Sequence, residues 1–217
     1  MINRFVLFAA PFLLISTSLP AQEVEPAPPT PPPVEPAMVN VVMTTSLGPI
    51  TLALESERAP ISTANFLNYV DTRRFDGTEF YRAMHLPWGD QPNGLIQGGT
   101  QMNPKRIMKP IAHEPTSETG VLHKAGTISM ARYEPGTATG DFSIMLSDMP
   151  GLDADPSSDD TELRAGFAAF GHVVEGMHVV RAIWDSPIDP EKGQGALKGQ
   201  MLTNPVTILS VRRLPPE

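Results

Sequence analysis

Eight short runs rich in β-branched and aromatic residues set the limits on what this chain can fold into, and turn-forming residues bound most of them. They read VNVVMTT, ITLAL, TEFYRA, GLIQG, GTISMAR, DFSIML, GFAAFGHV and PVTILSVRR. The first two are joined by SLGP, whose glycine and proline predict a hairpin. Only two segments carry helical spacing. APISTANFLNYVDTRR has Pro60 near its start and sets Ala64, Leu67 and Val70 on one face, while EGMHVVRAIWD sets Met177, Val180 and Trp184 on another. Many short strands with two helices predict a mainly β fold: a closed eight-stranded antiparallel barrel, which leaves no free sheet edge, capped by the helices. Residues 100 to 124 and 147 to 166 carry too many Pro, Gly, Ser and Asp residues for regular structure, and loops of that length predict the rims of a groove.

The barrel signals begin late in the chain. Residues 1–21 have one early arginine, an apolar stretch from Phe5 to Ile15 and then small and polar residues, the pattern of an export signal. The apolar stretch is shorter than the roughly 20 residues of a spanning helix. Leu19, the third residue back from a cleavage after Ala21, is not the small residue that cleavage prefers, and an uncleaved segment would tether the protein to a membrane. The expected location is periplasmic or secreted. Residues 22–38 are dominated by proline and predict an extended, semi-rigid linker. Residues 39–217 then form one domain with no internal repeat, expected to be a monomer.

Composition removes several functions. A net charge of -8 argues against nucleic acid, whose binding rests on clustered lysine and arginine. Cysteine is absent, so thiol chemistry and cysteine-based zinc sites are excluded. The histidines show no HExxH spacing and no metal is expected; GQGALKG lacks the strand-then-helix setting of a phosphate cradle, and no G-x-S-x-G elbow is present. DADPSSDDTE lacks the glycine and terminal glutamate of a calcium loop and reads as a solvated acidic segment. What remains is FYRAM followed by LIQGGT, placing Arg82 and Gln97 on neighbouring runs. Neither side chain is an acid or base near neutrality, which points away from hydrolysis.

FYRAM, LIQGGT, GTISMA and FGHVVEGMHVV, in that order, resemble the motifs of cyclophilin-type peptidyl-prolyl cis-trans isomerases of the bacterial exported kind, from about Val41 to Val211. The resemblance implies the barrel already described, a proline-binding groove on its outer face, and no cofactor. It implies Arg82 and Gln97 as the catalytic pair, and Leu95, Met130, Ala131, Arg132, Asp141, Phe142, Ser143, Leu152 and Phe167 as substrate-binding residues. The expected partner is a proline-containing polypeptide. The chain also departs from the family. Gly94 and Leu95 replace a Phe-Met or Phe-Val pair after the extra segment LPWGDQPN; Arg132, Asp141 and Ser143 replace Asn, Gln and the phenylalanine that floors the pocket; Gly151 stands where some members have tryptophan, and Phe167 where histidine is common. Full burial of one aromatic side chain is worth roughly 1.5–3 kcal/mol, so weaker proline binding is expected, with Phe142, Trp88 or Phe167 as candidates to refill the space. Two readings follow: an isomerase of X–Pro bonds in unfolded or extended chains, and a catalytically weak module that binds proline-containing segments.

Overall fold

The computed structural model describes residues 37–215; the segment expected to be an export signal and nearly all of the expected linker lie outside them. The predicted hairpin is β1 (Met38–Thr45) and β2 (Gly48–Glu55), in register from Met38 opposite Glu55 to Thr45 opposite Gly48. Seven further strands follow: β3 (Thr78–His85), β4 (Gly94–Gly99), β5 (Thr127–Met130), β6 (Asp141–Met145), β7 (Ala169–Glu175), β8 (Ile188–Asp189) and β9 (Met201–Arg213). All pair antiparallel in the order β1-β2-β7-β5-β6-β4-β3-β9, and β9 returns to β1 to close the ring. The eight-stranded barrel is therefore as expected. The ninth strand, two-residue β8, lies outside the ring and pairs with the first two residues of the long β9.

Four helices are present among the described residues rather than two: α1 (Pro60–Asp71), α2 (Thr116–Thr119), α3 (Thr161–Ala165) and α4 (Met177–Trp184). α1 and α4 are those read from spacing. The short α2 and α3, with a 3-10 turn at Pro150–Leu152, fall inside the two segments judged too irregular. Side-chain capping accounts for α3: Asp160 accepts from the N–H groups of Glu162 and Leu163. The buried face of α1 also differs from its simplest reading. Ala64 faces out, while Phe66, Leu67, Tyr69 and Val70 face in. Its first turn has no cap of its own; the Glu114 carboxylate, from the long loop, accepts from the N–H groups of Ile61 at 3.0 Å and Ser62 at 2.9 Å.

Aromatic rings fill the barrel. Phe142 sits among Phe66, Phe75 and Phe80 with ring centroids 5.5, 5.5 and 5.7 Å away, each pair edge-on. Phe142 is fully buried, which corrects its expected place in the binding surface. The reason is the pleat: side chains alternate along β6, so Phe142 and Ile144 point into the barrel while Ser143 and Met145 point out. An aromatic at position 142 cannot serve both faces.

Candidate active site

The outer face of β3 owes its phase to a bulge. Phe80 pairs with Gly98 and Arg82 with Gln97, leaving Tyr81 as the extra residue. Phe80 and Ala83 therefore point inward, and Arg82 and Met84 point outward. Two rungs then run across the strands. Arg82 lies opposite Gln97, Gln97 opposite Ser143, and Ser143 opposite Ser129, a polar rung over four strands. One step along, Met84, Leu95 and Met145 form an apolar rung. Leu152 and Phe167, from the loops on either side of α3, wall the depression above them, which encloses about 160 Å³.

Arg82 is half-buried and held by amide oxygens. Its Nη1 donates to Gln97 Oε1 at 2.6 Å, and its Nε and Nη2 donate to Gln200 Oε1 at 2.9 and 2.6 Å. Nη2 also lies 3.5 Å from the Met84 sulfur, a weak acceptor. Both amides are themselves fixed: Gln97 Nε2 donates to the Tyr81 hydroxyl at 2.9 Å, and Gln200 Nε2 to the Ala196 carbonyl at 3.0 Å. Among the described residues no carboxylate pairs with this guanidinium, and burial lowers its pKa from the ordinary arginine value without discharging it. Burial also raises the Tyr81 phenol above its ordinary range, so it remains a neutral acceptor. Of five guanidinium N–H groups, three are engaged by the glutamines and one lies toward the thioether. A partly desolvated positive charge is thus held in a fixed orientation with donor capacity to spare.

The floor of the depression is tied to a second hydrogen-bonded chain. Asp153 Oδ1 accepts from the His123 backbone N–H at 2.9 Å and lies 2.7 Å from its Nδ1, while His123 Nε2 lies 2.8 Å from Ser129 Oγ. His123 is buried, and desolvation lowers its pKa despite the carboxylate. In the neutral ring that this favours, Nδ1–H donates to Asp153 and Nε2 accepts from the Ser129 hydroxyl. The chain links β5 to the segment that carries Leu152.

Of the residues named from sequence, Arg82, Leu95, Met130, Ala131, Ser143, Leu152 and Phe167 border the depression, and Gln97 reaches it through Arg82. The Met130 side chain itself belongs to the core. Three expectations are corrected. Phe142 is in the core, as described above. Asp141 faces outward but turns to the neighbouring loop, accepting from the Gln101 N–H at 2.8 Å. Arg132 lies behind the wall: it donates to Gly166 O at 2.6 Å and Glu162 Oε2 at 2.8 Å, and its guanidinium stacks 4.5 Å from the Phe167 ring centroid. It braces Phe167 rather than meeting a ligand. Met84, Ser129, Met145 and Gln200 were missed. Strand alternation from Arg82 and Ser143 would have found Met84 and Met145, whereas Gln200 is 118 residues from Arg82 and carries no local signal.

Gly94 also has a structural explanation. Its φ is +143°, and a Cβ there would lie 1.9 Å from the Met84 carbonyl oxygen, to which Trp184 Nε1 donates at 2.9 Å. No side chain fits, so the wall is rebuilt from Met84 and Leu95. Among the described residues no three His, Asp or Glu side chains gather as a metal site, and no helix is long and apolar enough to cross a membrane.

The chain is thus a closed antiparallel β-barrel with an arginine-centred cleft on its outer wall. Residues 40–213 match the family model described as cyclophilin type peptidyl-prolyl cis-trans isomerase/CLD, and the chain belongs to this enzyme family. A peptidyl-prolyl cis-trans isomerase of Acinetobacter baylyi is 35% identical over 180 residues, covering 81% of this chain and 86% of that protein. Peptidyl-prolyl cis-trans isomerase A of Dickeya dadantii is 36% identical over 148 residues, covering 66% and 70%. In fold, the chain is similar to a Cryptosporidium parvum cyclophilin type isomerase crystallised in the presence of the dipeptide Ala-Pro, with a TM-score of 0.63 at 18% identity over 82% of this chain and 99% of that one.

Proposed function

We propose that this isomerase acts on X–Pro bonds in unfolded or extended polypeptides outside the cytoplasm, with Arg82 as its central catalytic residue. The observation that carries the reading is the Arg82 guanidinium: half-buried, unpaired with any carboxylate of the described residues, and clamped by two amide oxygens. Rotation about a prolyl bond crosses a barrier of roughly 18–20 kcal/mol that arises largely from amide resonance. At the twisted geometry the prolyl nitrogen recovers its lone pair. A fixed N–H donor bearing positive charge favours that state over either planar one, and only such a difference accelerates the reaction. Gln97 and Gln200 hold the donor still, and Gln97 borders the path of the peptide backbone. The apolar rung, Leu152 and Phe167 grip the ring. No cofactor enters the mechanism, and a monomer suffices for it.

The proposed location rests on residues 1–21, and a role in assisting the folding of exported chains follows from it. Ser143 at the floor favours a second reading, in which weak grip leaves a module that binds proline-containing segments with little turnover. The deciding experiment is the isomerisation rate of a short X–Pro peptide with the purified protein and with Arg82→Ala, both shown to be folded by circular dichroism. Removing a preorganised donor of this kind costs about 10²–10³ in rate. A loss of that order in Arg82→Ala is expected; a folded wild type that leaves the uncatalysed rate unchanged would refute the isomerase reading, and tight peptide binding without turnover would support the binding module instead.

A further inference from the structure

The extra segment at residues 86–93 carries Trp88, an indole 63% exposed. The loop around it is fastened from within. Asn93 Nδ2 donates to the Trp88 carbonyl at 2.6 Å, Gln91 Nε2 to the Leu86 carbonyl at 3.1 Å, and Leu86 N–H to the Asn93 carbonyl at 2.9 Å. Ser147 Oγ donates to Asn93 Oδ1 at 2.7 Å, tying the loop to the end of β6. An aromatic on so constrained a turn meets little further entropic cost when a ligand covers it.

Trp88 borders a cavity of about 370 Å³ with Met84, Leu86, Pro150 and Leu152. Met84 and Leu152 also border the smaller depression beside Arg82 and Ser143, so the two spaces share a wall. The one acidic group at the rim, Asp148, is already engaged by Lys124 Nζ and the Ala125 N–H, each at 2.9 Å. The remaining surface suits an uncharged apolar group.

We propose that this cavity is a second substrate subsite, taking the apolar side chain, leucine-sized or aromatic, of the residue next to proline while the proline ring sits beside Arg82. The inference rests on the isomerase reading for the occupant of the first space. It also assigns a function to the extra segment: the weaker apolar grip on proline at the Ser143 floor is compensated by apolar burial of the neighbouring residue.

Trp88 supplies its own signal, because the other tryptophan, Trp184, is buried in the core. Short peptides with leucine or alanine before proline, and a second pair with leucine or alanine after it, are titrated into the purified protein while tryptophan emission and affinity are followed. Isomerisation of the same peptides is measured in parallel. The leucine peptide of one pair should bind about tenfold more tightly than its alanine partner, a typical return for filling an apolar pocket. It should also shift the emission to the blue. In Trp88→Ala, checked for folding, that ratio should fall to near one. Equal affinities within both pairs, or a preference that survives Trp88→Ala, would overturn the subsite. Arg82-dependent turnover without any flank preference would leave the isomerase reading intact and remove only the subsite. A Trp88-dependent preference without turnover would do the reverse, and binding of none of the peptides would remove both.

Discussion

Gln200→Glu separates what Arg82 does by position from what it does by charge. The substitution is nearly isosteric and keeps an oxygen where Arg82 Nε and Nη2 now donate at 2.9 and 2.6 Å. What changes is the charge on that oxygen, together with the loss of the Nε2 donation to the Ala196 carbonyl. With the charge centres about 4 Å apart, two unit charges attract by about 4 kcal/mol at the effective dielectric of about 20 typical near a protein surface. The guanidinium would then be paired, and its pull on a developing prolyl lone pair would approach that of a neutral donor. Hydrogen bonds to charged groups are worth about 1.5–3 kcal/mol and neutral ones about 0.5–1.5. The difference, about 1–1.5 kcal/mol, corresponds to roughly a tenfold loss in kcat/KM. Stability should change little, since the ion pair gained offsets the hydrogen bond to Ala196 that is lost. The assay pairs isomerisation kinetics with thermal unfolding. A variant with kcat/KM within twofold of wild type would refute the argument, because Arg82 would then act by shape alone. Loss of activity together with a lowered Tm would refute it too, by showing that the glutamate disrupts the site.

Two buried groups give stability opposite dependences on pH. Burial holds His123 below its ordinary pKa, so between the folded and unfolded values the unfolded chain binds more protons. The folded state should therefore lose stability as pH falls below about 6.5. His123→Gln should show a flatter profile between pH 5.5 and 7.5 by thermal melting, with a cost of roughly 1–3 kcal/mol from the partners left at Ser129 and Asp153; a profile as steep as wild type would count against the buried neutral ring. Asp141 runs the other way. Burial raises its pKa although backbone N–H groups of residues 100–102 oppose the shift, so the folded state binds more protons and loses stability as pH rises through the carboxylate range. Asp141→Asn keeps an acceptor for Gln101 and should raise the urea midpoint at pH 7 more than at pH 4, whereas an equal change at both would exclude the charge as the cause.

Much of the barrel was legible because strands announce themselves locally. Alternation and turn residues placed eight runs, and each became a strand of the ring. The lining of the depression was legible where an aligned position coincided with the pleat, as at Arg82, Leu95 and Ser143. It was misread where position was used without the pleat. Phe142 and Ser143 are adjacent, so they cannot share a face, and only one can reach the groove. The bulge at Tyr81 is a further limit: it resets which residues of β3 face outward, and nothing in FYRAM marks Tyr81 as the unpaired residue.

The sequence by itself determined the repertoire of strands, the two longer helices, the family motifs and the candidate arginine, because these depend on near-neighbour periodicity and residue chemistry. Only the tertiary structure decided who holds that arginine. Gln200 arrives just before β9, Asp153 reaches His123 from the loop after the 3-10 turn, and Glu114 caps α1 from a segment that looked merely irregular. Each of these contacts joins residues far apart in the chain, where pairing is set by barrel closure and by the burial of polar groups that must find partners, and neither condition leaves a local trace.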